Sequence, residues 1–147
     1  MDIGKIWDTV RGMFAAAVGV LGYFVGGMDG MLIALVVMMV LDYVTGVICA
    51  IFDKTLSSEV GFKGIVRKVL VLMLVGVANI LDVHVIGGGS ALRGVVIGFY
   101  ISNEGLSLLE NAAHIGLPVP EKLKAVLAQL HDREKGGGGD GGGEKDE

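Results

Sequence analysis

Arg93, Asn103, Glu104 and Glu110 interrupt the apolar run from Ala91 to Asn111. As a helix, that run reaches about 31 Å, enough to cross the ~30 Å of hydrocarbon in a bilayer. Glu104 then lies inside the membrane. An isolated charge there costs about 2.5–3.5 kcal/mol and is kept against protein or water. Carboxylates at such a depth serve one of two chemistries: they carry ions or protons along a wet path, or they hydrogen-bond neighbouring helices. Asp42 interrupts a second apolar run, and Asn79 a third. Counted along their helices, Asp42 and Glu104 lie about 16 and 20 Å from one face, and Asn79 about 15 Å from the other. All three fall near the midplane. Arg93 is too shallow to neutralise either carboxylate. The pair therefore lines water, or at least one member is protonated and hydrogen-bonded.

Helical rotation groups these residues further. Arg93, Tyr100, Glu104 and Asn111 project from one face. Asp42, Thr45, Gly46 and Cys49 share a face of small and polar groups on the second run. The spacings Gly22-xxx-Gly26 and Gly94-xxx-Gly98, with Gly46, are places where helix backbones can approach closely. The candidate pore or oligomer stripe is Asp42, Asn79, Arg93, Tyr100, Asn103, Glu104 and Asn111.

Catalysis finds no support. His84, His114 and His131 are scattered, with no partner at metal-ligand spacing. Cys49 has no histidine near it in sequence to activate its thiol. The glycines at 87–89 are not followed by the Lys-Ser/Thr of a phosphate loop. The expectation is a protein that is not an enzyme and holds no cofactor or metal. Net charge is -4, nearly all of it in the stretch beyond Gly136, so nothing suggests nucleic-acid binding.

The elements that must position these residues are helices in a bilayer. Hydrophobic residues make up 52% of the chain and mean hydropathy is +0.67, too apolar for a water-facing surface. Spans are expected at about 12–28, 31–52, 69–86 and 91–111. The count falls to three if residues 1–28 lie in the interface. Lys5 and Arg11 precede the first span, while Lys54, Lys63, Arg67 and Lys68 are read as charges of the second connection. Cations stay cytoplasmic, which gives two hairpins with both termini inside. Arg93 is the exception and is expected to snorkel to the outer headgroups. Pro120 opens a cytoplasmic helix at 120–134, where Leu123, Val126, Leu127 and Leu130 form an apolar stripe suited to the membrane surface or a neighbouring subunit. The Gly/acidic stretch 135–147 is expected to be disordered. Residues 1–132 form one all-α membrane domain.

Three motifs then point to a family. They are Asp42-Tyr43-x-Thr45-Gly46, Leu56-Ser57-Ser58-x-x-Gly61-Phe62-Lys63-Gly64 and Asn103-Glu104-Gly105-x-Ser107-x-x-Glu110-Asn111. With the runs that contain them, they resemble the phage lysis and toxin-secretion holins, a group that includes pneumococcal-phage and clostridial toxin-release members. The resemblance covers roughly residues 12–132. It implies a homo-oligomer of the bacterial cytoplasmic membrane that forms lesions. Those lesions release a cytoplasmic endolysin or a toxin without stable binding to it. The residues themselves leave two other classes open: a small oligomeric ion channel or transporter subunit, and an anti-holin regulator that blocks assembly through the same faces.

Overall fold

The computed structural model describes residues 2–136, with side chains through residue 129. Five helices follow one another: α1 (Ile3–Phe24), α2 (Gly30–Phe52), α3 (Ser58–Leu81), α4 (Ala91–His114) and α5 (Glu121–Gly136). A π-helical turn, Asp82–Ile86, extends α3. No strand occurs among the described residues.

Local chemistry explains the boundaries. The Asp29 carboxylate accepts the Leu32 N–H at 2.9 Å and starts α2. The Ser57 hydroxyl accepts the Val60 N–H at 3.2 Å and starts α3. Gly87, at φ 88°, ends the π-helical turn in the left-handed conformation that glycine adopts without strain.

Two boundaries depart from the sequence-based expectation. Residues 58–68 are not a basic connection but the first turns of α3, because Ser57 caps a helix that begins there. Lys63, Arg67 and Lys68 are therefore helical, and only Lys54 stands in the α2–α3 link. The first helix occupies Ile3–Phe24 rather than 12–28. Gly26 and Gly27 adopt positive φ and turn the chain before residue 28. α5 continues through Gly136, and the rest of the tail expected at 135–147 lies outside the described residues.

The core joins α2, α3 and α4. Leu32, Leu35, Met39, Val71, Val75 and Ile97 pack together, with Tyr100 and Ile101 partly buried against them. α2 and α4 run parallel: Asp29 meets Arg93 at one end and Asp53 meets His114 at the other. Hereafter the first is the glycine end, since the Gly26–Gly30 and Gly87–Ser90 links lie there, and the second is the basic end. α1 buries no residue and reaches the bundle through α3. Its Phe24 ring lies over Gly76, where a Cβ would stand 1.9 Å from the ring.

Outward faces are apolar. Ile33, Val37, Val40 and Val44 on α2, and Val69, Met73, Val77 and Ile80 on α3, are exposed. α2 and the continuous helix Ser58–Ile86 are long and apolar enough to cross a membrane. Apolar outside and ion-paired inside, the bundle has the polarity that lipid demands.

Candidate functional site

Lys68, on α3, supplies the cation that the sequence reading did not find. Its Nζ donates to Asp42 Oδ2 at 2.7 Å and to Glu104 Oε2. All three side chains are at least five-sixths buried, Glu104 most deeply. Their level is set by helix length. Asp42 stands ten residues from Phe52, Lys68 ten from Ser58 and Glu104 ten from His114. Each is thus about 15 Å from the basic end. Two carboxylates share one ammonium.

A hydrogen-bonded layer continues toward the basic end. Asn111 Nδ2 donates to Asp42 Oδ1 at 3.2 Å, to the Asp42 carbonyl at 3.3 Å and to Thr45 Oγ1 at 3.1 Å. The Cys49 thiol donates to the Asn111 carbonyl at 3.4 Å. Cys49 is thereby a buried structural thiol, and Asp42 is held by both neighbouring helices.

A cleft of about 370 Å³ opens beside the triad between α3 and the α2–α4 pair. Tyr43, Gly46, Gly64, Lys63, Ser107 and Asn111 are among its walls. The three motifs that carry the resemblance therefore converge on this cleft. Tyr43 explains Gly64, since its ring lies 3.1 Å from where a Gly64 Cβ would stand, and its hydroxyl makes an ordinary contact at Gly61.

A second polar cluster clamps the glycine end. Arg93 is 3% exposed and turned onto the α1–α2 link. Its Nε donates to the Val25 carbonyl at 2.6 Å, Nη2 to the Gly27 carbonyl at 3.0 Å and Nη1 to Asp29 at 2.5 Å. The α1–α2 link supplies every acceptor that snorkelling would have sought in the headgroups. The Arg93 hydrogen bond and the capping N–H of Leu32 hold the Asp29 carboxyl below its ordinary value. Asn79 belongs to this clamp and not to the middle layer. Its Nδ2 donates to the Phe24 carbonyl at 3.1 Å. Because α3 starts at Ser58, counting from residue 69 placed Asn79 too near the midplane. Asp82, which the sequence reading gave no role, is 1% exposed. Its carboxylate accepts the N–H groups of Leu92 at 3.1 Å and Arg93 at 2.8 Å, satisfying the start of α4.

The remaining expected residues fall elsewhere. Tyr100 packs on the core and meets Phe99 edge-on, with ring centroids 5.1 Å apart. Asn103 is half-buried, one residue round α4 from Glu104, and Gly98 is likewise half-buried. Among the described residues nothing lies within 4 Å of where a Cβ on Gly22 or Gly94 would stand, and Gly46 makes an ordinary contact with Asn111. The close approaches are at Gly26, Gly64, Gly76 and Gly105. Gly26 leaves no room for a Cβ between Asn79 and Arg93, while Leu127 of α5 seats against Gly105. α5 therefore docks on its own α4, where the sequence suggested the membrane surface or another subunit.

Known proteins resemble this chain along most of its length. The sequence model of the bacteriophage holin family matches residues 19–132. An uncharacterized 14.9 kDa protein of the nagH 3′ region of Clostridium perfringens is 45% identical over 109 residues, spanning 74% of this chain and 83% of the relative. The uncharacterized protein YqxH of Bacillus subtilis is 37% identical, spanning 77% of this chain and 79% of the relative. A protein of Bacillus phage phi105 named a probable holin is 39% identical over 97 residues, spanning 66% and 69%. No solved structure matches.

Proposed function

The chain belongs to the bacteriophage holin family, and on that footing we propose that it oligomerises in the bacterial cytoplasmic membrane and forms lesions that release a cell-wall hydrolase or a toxin. The observation that carries this reading is the Asp42–Lys68–Glu104 triad, ionisable side chains enclosed by helices whose outer faces suit lipid. Such a layer is stable while α2, α3 and α4 close around it. It also provides a wet wall if copies gather and the helices turn.

Four spans, α1 to α4, with both termini cytoplasmic fit this role. The basic end then faces the cytoplasm, consistent with Lys54, Lys63, Arg67 and Lys68 near it. As copies accumulate, the face bearing Arg93, Tyr100, Glu104 and Asn111, joined by Asp42, exchanges intrachain partners for water. Assembly rises steeply with surface density, and that supplies the delay before release.

Induced expression in a bacterial host with a cytoplasmic cell-wall hydrolase tests the proposal. The expected result is abrupt lysis after a lag, requiring both proteins. Glu104→Gln shifts the onset modestly, and Glu104→Leu accumulates in the membrane without lysis. Lysis by Glu104→Leu on the unmodified schedule overturns the role of the polar face. Absence of hydrolase release at every dose of the unmodified chain overturns lesion formation.

A further inference from the structure

We infer that the cleft at the basic end is a binding site for the phosphate of an anionic phospholipid in the adjoining leaflet, with Arg67 as its recognition residue. This rests on the membrane-spanning reading and not on lesion formation. Arg67 lines the cleft and is exposed. Among the described residues no carboxylate pairs with it. Lys63, also on the cleft wall, has only the solvent-exposed Glu59 at 2.6 Å as partner. Asp42, which lines the cleft, is already engaged by Lys68 and Asn111. The cleft thus presents an uncommitted guanidinium fork, the donor geometry that fits phosphate oxygens.

Depth agrees. The continuous helix Ser58–Ile86 has 29 residues. It is therefore about 43 Å long, some 13 Å more than the hydrocarbon it crosses. Arg67 stands nine residues from Ser58, about 13 Å from the basic end. Side chains lean toward a helix's N-terminus, here the basic end, so the guanidinium points toward headgroups. Shape agrees too. Gly61 and Gly64 remove side chains from one wall, leaving the cleft open between Arg67 and the basic end. Basic pockets between spans on the cytoplasmic side bind anionic headgroups in this way.

Native mass spectrometry of the full chain tests it, in detergent micelles carrying phosphatidylglycerol, cardiolipin or phosphatidylcholine. The unmodified chain should retain either anionic lipid several-fold more than phosphatidylcholine. Arg67→Gln should fall to the phosphatidylcholine level, with Arg67→Lys intermediate. Gly61→Leu, which fills the cleft and leaves its charge unchanged, should also lose retention. Lys122→Gln, on α5 and not among the cleft's lining residues, should keep it. Circular dichroism shows whether each variant is folded. Equal retention of all three lipids, or full retention by folded Arg67→Gln, overturns the site. Displacement of the lipid by inorganic phosphate at equal concentration also overturns it, because the site then takes the free ion. A chain that selects anionic lipid but never lyses cells sinks the lesion proposal alone. One that lyses without selecting lipid sinks this site alone.

Discussion

Lys68 answers for two carboxylates, so the three members of the triad respond unequally to substitution. Lys68→Met leaves Asp42 and Glu104 buried together without a cation. Removing one partner of a buried pair costs about 3–5 kcal/mol. Glu104→Gln leaves one ammonium with one carboxylate and should cost on the order of 1 kcal/mol. Denaturant unfolding in detergent should rank the two in that order, and the double variant should recover part of the Lys68→Met loss. Asp29 gives a pH prediction. Its carboxyl lies below the ordinary value of 3.8 when folded, chiefly through Arg93. Its contribution is therefore present above that value and is lost as pH falls through the folded value. Asp29→Asn should unfold more readily than the unmodified chain at neutral pH, and the difference should vanish in strong acid. Both carboxylates of the triad were legible because charges in apolar runs stand out. Lys68 was not, because it adjoins Arg67 in a basic stretch that reads as a connection. The available signal was periodicity: Gly61, Gly64, Lys68, Val71 and Val75 recur at helical spacing, which carries the core face back to Ser58.

At the level of the helices, α2 and α4 were readable almost to their ends, since each is an apolar run bounded by a glycine-containing link and a polar stop. The start of α3 was masked by its charges, although Ser57 as cap and Glu59 in the first turn mark it. The seat of α5 was not readable, because an amphipathic stripe says that a face is buried without saying against what. Leu127 is that face's buried anchor, 8% exposed against Gly105. Burying a leucine contributes about 1.5–3 kcal/mol. Leu127→Asp should raise the local opening of α5 by ten- to a hundredfold. Tryptic cleavage after Lys122 and Lys124 should accelerate correspondingly, while α2 to α4 stay protected. An unchanged cleavage rate would show that Leu127 does not hold α5.

The whole molecule is a bundle with its ionisable groups inside and its oil outside, and the proposed orientation in the bilayer rests on which end carries the cations. That asymmetry was visible in the sequence. Orientation can be measured by cysteine labelling in a Cys49→Ala background. In intact cells stripped of their wall, an impermeant maleimide should modify the Ser90→Cys variant at the glycine end. It should modify Thr55→Cys, in the α2–α3 link, only after the membrane is permeabilised. The reverse pattern would invert the proposed topology. The triad also sets the order in which the bundle can mature. Lys68 follows Asp42 by 26 residues, and Glu104 follows Lys68 by another 36. At about 5–20 residues per second, seconds of translation separate the first carboxylate from the last. Asp42 is therefore synthesised before either partner, and only the arrival of Glu104 on α4 completes the triad.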